Sequence, residues 1–236
     1  MSRFGRVALV GRSNVGKSTF LNTAVDLPLA IVSPLPQTTR TPLLGLVNRG
    51  EHQIAFVDTP GLHPPKSELG HRMNTSALDV IRKVDARLFV TDIMAVRDHS
   101  KHSKTSRRHR SSILHPNEAA LIASLHDEVP TLLVINKVDL LSNKQQLLPA
   151  MSEWQSIHPF HAILPISSLN KDDVERVLEA VIEVLPERPP EYARDELTDR
   201  PTRYFVAEYV REQVLLHTRR EVPHAVAVSV DACDES

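Results

Sequence analysis

Short apolar runs alternate with amphipathic stretches along most of this chain. Arg6–Val10 is a compact apolar run of strand length, and Lys17–Val25 behind it reads as a helix. Gly45–Arg49 and Gln53–Asp58 read as two strands joined by a short turn through Gly50. Ser67–Lys83 sets Leu69, Met73, Ala77, Val80 and Ile81 at helical spacing, and Arg87–Thr91 is another strand. Asn117–His126 is a predicted helix with Pro116 at its start, where a missing N–H costs nothing. Thr131–Ile135 and Ala162–Ile166 are further strands, with a helix over Lys144–Ile157 between them. Asp172–Leu185 is amphipathic, its Val174, Val177, Leu178, Val181, Ile182 and Leu185 sharing one face. Strands alternating with helices, many of them apolar on both faces, predict an α/β fold. Its sheet should be mostly parallel, with helices on both faces.

Two segments break this rhythm. Pro186–Pro201 holds four prolines and eight charged residues and reads as a linker. Asp98–Ser112 holds five Ser, five Lys or Arg and three His. It reads as a solvated, disordered insertion, with a basic RNA-contacting loop and a histidine metal site as the other readings. Beyond the linker, Thr202–Arg219 is a predicted helix and Ala225–Val230 a predicted strand. The expected organisation is a domain over 1–185, a linker over 186–201 and an incomplete α+β segment over 202–236. That last piece is shorter than the roughly 40 residues usually needed to fold unaided.

Composition narrows the class. The 236 residues are 41% hydrophobic and 24% charged, the balance of a globular protein. No apolar run approaches the ~20 residues of a membrane span. Met1–Phe4 runs into the first strand, leaving no room for a signal peptide. Cys233 is the single cysteine, so no intrachain disulfide forms, which fits a reducing compartment. Net charge is −1, so any pull toward nucleic acid must be local. The seven glycines all lie at or before Gly70.

Chemistry enters through three motifs, each at a predicted strand end. Gly11-Arg12-Ser13-Asn14-Val15-Gly16-Lys17-Ser18 fits G-x-x-x-x-G-K-[ST], and Thr19 follows it. Such a loop points successive backbone N–H groups and a helix dipole at phosphates. Lys17 would reach the β/γ oxygens and the Ser18 hydroxyl would ligate Mg²⁺. Asp58-Thr59-Pro60-Gly61 comes next, with Asp58 placed to hold Mg²⁺ through water and the Gly61 N–H to meet a γ-phosphate. Asn136-Lys137-Val138-Asp139 closes the set. A carboxylate at Asp139 accepts from guanine N1–H and its 2-amino group together, which adenine cannot match. Ser167-Ser168-Leu169 is a candidate for backbone N–H contacts to the guanine O6. Between the first motifs lies Pro36-Gln37-Thr38-Thr39-Arg40, where Thr39, in preference to Thr38, would complete the Mg²⁺ shell. Leu62 stands where many small GTPases carry a glutamine that orients water. GTP or GDP with Mg²⁺ are the implied cofactors.

These motifs, with Leu197-Thr-Asp-Arg-Pro201 and Ala207-Glu208, Val210-Arg211-Glu212 in the post-linker helix, resemble the Era family of P-loop GTPases. The resemblance implies a GTP hydrolase that binds 16S rRNA and assists small ribosomal subunit assembly. It also implies a cytoplasmic protein with possible peripheral attachment to the inner membrane. In GTPases resembling this one an asparagine at the position of Asn14 helps hold K⁺ against the phosphates, so K⁺ near Asn14 is a further implied cofactor. The family's second domain is a KH RNA-binding fold with a G-x-x-G loop, so 202–236 is expected to be a partial KH-like segment with weakened RNA binding. Ser13 stands for a usual proline and Leu35 for a usual lysine, and Asp98–Ser112 has no family counterpart. A GTP/GDP-binding fragment with little turnover, and a related GTPase of the large subunit or tRNA, are the rival readings.

Overall fold

The computed structural model describes residues 1–33, 38–61, 68–93, 116–125, 128–217 and 226–232. The insertion Asp98–Ser112 lies outside them, as do Leu35, Pro36, Gln37 and Leu62. Strand β1 (Phe4–Val10) leads through a loop to helix α1 (Lys17–Val25). β2 (Leu43–Arg49) and β3 (His52–Asp58) form a hairpin, followed by α2 (Glu68–Arg82) and β4 (Ala86–Asp92). Then come α3 (Pro116–Ala123), β5 (Thr131–Asn136), α4 (Leu147–Ile157), β6 (Ala162–Pro165), α5 (Lys171–Val184) and α6 (Thr202–His217). Single 3₁₀ turns at Val138–Leu140 and Lys144–Gln146 precede α4.

The strands form one sheet in the order β2-β3-β1-β4-β5-β6. Every pairing is parallel except β2 with β3. The alternation of side chains along β1 explains why its run is continuously apolar. Val7 and Leu9 enter one core with Phe20 and Leu21 of α1 and Val174, Val177 and Val181 of α5. Ala8 and Val10 enter the opposite core with Ile81, Leu121, Ala150 and Trp154. Asn170 caps α5, its side chain accepting from the N–H groups of Asp172 and Asp173. From β1 the chain moves to β3 on one side and to β4 on the other. That switch point leaves a crevice beyond the carboxyl ends of the strands.

Two expectations change at the C-terminal side. Residues 186–201 form no helix, but they run as an ordered strap along the sheet rather than a free linker. The Leu46 N–H of edge strand β2 donates to Leu197 O at 2.9 Å, and Phe4 N–H to Pro186 O at 3.3 Å. Buried Gln53 donates to Tyr192 O and accepts from the N–H groups of Glu191 and Tyr192. An edge strand offers unpaired backbone groups, and the strap satisfies some of them. The strand expected at Ala225–Val230 is not formed among its described residues, 226–230. Its alternating sequence has the β pattern, but no described strand pairs with it, and a strand needs a partner for its hydrogen bonds.

Candidate functional site

All three motifs meet in that crevice. A cavity of about 430 Å³ is lined by residues that include Ser13, Asn14, Lys17, Thr39, Gly61 and Lys137. Gly16, Ser18, Thr19 and Thr38 also line it. The loop between β1 and α1 turns through Gly11 at φ +151°, Asn14 at +63° and Gly16 at +105°. A Cβ on Gly11 would run into the Val90 carbonyl, and one on Gly16 into the Asn136 amide. Both positions therefore exclude side chains on steric grounds as well as by backbone angle.

Lys17 is 6% exposed and folds back over the loop. Its Nζ donates to Gly11 O at 3.1 Å and Arg12 O at 2.9 Å. Burial pushes its pKa below the ordinary lysine value; Asp58 opposes this and Arg12 adds to it. An ammonium satisfied only by neutral carbonyls is ready to exchange them for anionic oxygens.

Opposite the lysine, three oxygens from three segments converge. Asp58 Oδ2 accepts from Ser18 Oγ at 2.8 Å and from Thr39 Oγ1 at 2.9 Å. The two hydroxyl oxygens lie 3.2 Å apart. Asp58 Oδ1 is buried with no hydrogen-bond partner among the described residues. Burial raises the Asp58 pKa, while Lys17 and the two hydroxyls pull it down. A hard divalent cation takes oxygen donors of this kind, so the residues present fit magnesium. Thr39, chosen over Thr38 from the sequence, is the threonine whose side chain reaches this corner. Gly61 packs against Ser13 on the same wall, and a Cβ there would meet the Ser13 backbone N at 2.7 Å.

The base side is organised around Asn136. Its Nδ2 donates to Val15 O at 2.8 Å, and its Oδ1 accepts from Ser168 N–H at 2.9 Å. Lys137, at φ +63°, donates to Asn14 O at 2.6 Å and to Asp92 Oδ2 at 3.1 Å. Asp139 sits in the 3₁₀ turn with its side chain exposed. The Ser167 N–H donates to Asp173 Oδ2 at 2.8 Å. The N–H groups of Ser167 and Ser168 thus meet neighbouring protein atoms; the sequence made Ser167-Ser168-Leu169 a candidate for the guanine O6.

Sequence reasoning missed a charged layer beneath the loop. Glu118 of α3 is fully buried, accepting from Arg12 Nε at 3.0 Å and Thr91 Oγ1 at 2.8 Å. Asp92 faces both Arg12 and Lys137. Together they link the first and third motifs through the end of β4. Glu118 lies in the first turn of α3, where a carboxylate also complements the helix dipole.

The family of 50S ribosome-binding GTPases matches residues 6–137. The GTPase Era of Lacticaseibacillus paracasei is 40% identical over 228 residues, covering 96% of this chain and 70% of that protein. An Aquifex aeolicus Era variant bound to GDP·AlF4⁻ superposes with a TM-score of 0.80 at 34% identity, covering 94% of this chain and 70% of that one. Era in complex with MgGDPNP and nucleotides 1506–1542 of 16S rRNA superposes with a TM-score of 0.83 at 33% identity, covering 95% and 71%.

Proposed function

The chain belongs to the Era family of GTPases, and we propose that its crevice runs the guanine-nucleotide cycle with the residue roles that follow. It is a P-loop GTPase, cleaving GTP to GDP and phosphate. Residues Gly11–Thr19 cradle the phosphates, and Lys17 leaves the Gly11 and Arg12 carbonyls for β/γ oxygens. Ser18, Thr39 and Asp58 would hold Mg²⁺, which offsets charge on those oxygens when bound. Gly61 meets the γ-phosphate through its N–H. Asn136 braces the base site, Lys137 its floor, and Asp139 reads guanine. The convergence of the Ser18, Thr39 and Asp58 oxygens within 3.2 Å carries this assignment. Hydrolysis of GTP across a magnesium titration tests it. Activity should require Mg²⁺ and fall by about 10²-fold or more in Asp58→Asn, as for loss of one strong electrostatic group. A magnesium-independent rate would reject the assignment.

The partners follow from the relatives. Because an Era protein of this fold is known with 16S rRNA, the cycle is assigned to small-subunit assembly. The broader family description names the large subunit, so a pull-down from separated ribosomal subunits decides between them. Peripheral attachment to the inner membrane would have to rest on local surface charge. No described helix is long and apolar enough to cross a membrane. With Leu62 in place of a water-orienting glutamine, K⁺ held near Asn14 supplies the compensating charge. If it does not, the chain binds GTP and GDP with little turnover, which single-turnover hydrolysis reads directly.

A further inference from the structure

Helix α6 and its flanks grip the segment that carries Thr39. The Tyr209 hydroxyl donates to Pro28 O at 3.0 Å, and the Val32 N–H donates to Glu212 Oε1 at 3.1 Å. Arg211 Nη2 donates to Thr38 O at 2.7 Å. Arg200 Nη2 donates to Pro42 O at 2.9 Å, and Arg40 Nη1 to Val226 O at 2.6 Å. Arg200, helix α6 and Val226 therefore bind the chain on both sides of Thr39.

The inward face of α6 sets an ion pair among apolar contacts, with Tyr204 and Phe205 packed on the core and Leu215 buried. Tyr204, Glu208, Arg211 and Leu215, at i, i+4, i+7 and i+11, form its covered stripe, while Val206 and Val210 are exposed. Arg211 is 4% exposed, and Glu208 grips it through Nε at 2.8 Å and Nη2 at 2.5 Å. Burying such a pair costs desolvation that an apolar pair would avoid, so stability alone does not account for it. What the pair gains is a fixed donor on the carbonyl immediately before Thr39.

We propose that Arg211, oriented by Glu208, is a positioning residue that holds Thr39 at the cation corner and couples α6 to the triphosphate state of the site. The coupling rests on the guanine-nucleotide assignment above. Thr39 Oγ1 stands 2.9 Å from Asp58 Oδ2, so a residue that holds it there should favour the nucleotide whose γ-phosphate completes the site, GTP over GDP. Coupling is reciprocal: whatever shifts α6 changes GTP affinity, and GTP binding tightens α6 on the loop.

The test compares affinity for a non-hydrolysable GTP analogue with affinity for GDP, both in Mg²⁺, by fluorescent-nucleotide titration of the full chain. Arg211→Lys keeps the charge but loses the fork, and should lower the analogue-to-GDP affinity ratio by about five- to tenfold. Glu208→Gln, a milder change that leaves Arg211 in place, should move the ratio in the same direction by less. Hydrogen exchange at residues 38–42 in the analogue complex should quicken in both variants. Equal weakening of both nucleotides would make Arg211 merely structural and overturn the proposal, as would an unchanged ratio. Failure of the parent protein to bind either nucleotide would instead reject the guanine-nucleotide assignment itself.

Discussion

In the proposed cycle, Asp139 selects the nucleotide and Asn14 handles charge, and each role can be tested at its own side chain. Asp139 is exposed in its 3₁₀ turn and its side chain has no hydrogen-bond partner among the described residues, so its substitution should report on the base. Asp139→Asn should weaken GTP by about 10²-fold or more, since two charge-assisted hydrogen bonds at roughly 1.5–3 kcal/mol each are disturbed. Xanthosine triphosphate should gain affinity in the same variant, measured by competition against labelled GDP. ATP should compete with neither protein. Asn14 needs a more careful substitution. Its φ of +63° favours asparagine or glycine, so Asn14→Ala adds backbone strain to loss of the amide. Asn14→Gly removes the amide and keeps the turn. Hydrolysis by the parent should be faster in K⁺ than in Na⁺ by about tenfold or more, as expected of a charge aimed at the developing negative centre. The glycine variant should lose most of that difference; equal parent rates in the two salts would remove potassium from the mechanism.

Among the elements, those legible in the sequence were the ones whose local pattern and tertiary role agree. β1, α1, β5 and α5 fell within three residues of their expected bounds because both faces of each strand and one face of each helix are apolar. The phosphate loop was legible because its glycines serve geometry that any sequence using it must meet. The strap was not. Its prolines and charges announce no regular structure, yet backbone carbonyls at Pro186, Tyr192 and Leu197 make the contacts, and carbonyls carry no sequence signal. The face of α6 was also illegible, since grouping its apolar residues turns Arg211 outward, whereas the structure turns it in. Nor could spacing show that Glu118 meets Arg12 across the chain. The strap gives a testable element. Gln53→Leu keeps the volume but leaves the Tyr192 carbonyl and two strap N–H groups without their partner. The cost should be about 2–3 kcal/mol. Its melting temperature should fall by roughly 5–10 °C, and proteolysis should begin within 186–201. An unchanged melt would mean that the strap contributes nothing to the sheet edge.

At the scale of the whole molecule, nucleotide and RNA make separable demands. GDP with Mg²⁺ at about 100 times its dissociation constant should stabilise the protein by about 2.7 kcal/mol. For a chain of this size that is roughly 5–10 °C in melting temperature, and ATP should give no shift. RNA has less to hold. A KH clamp brings phosphates against the main chain through G-x-x-G, and no glycine follows Gly70 in these 236 residues. Net charge of −1 supplies no general attraction. What remains is the basic stretch Lys101–Arg110, with five Lys or Arg able to meet phosphates without reading bases. If all five engage single-stranded RNA, affinity should drop by about 10²-fold between 50 and 200 mM salt, from a slope near −0.7 per neutralised phosphate. Titration of a 16S 3′-end RNA, with a scrambled RNA beside it, should show weak binding of both and the same steep salt dependence. Deleting 98–112 should remove it while leaving the GDP-induced thermal shift intact. Tight, salt-insensitive preference for the 16S sequence would place an RNA-reading surface elsewhere on these residues, and the folded strap and α6 would be the first region to search for it.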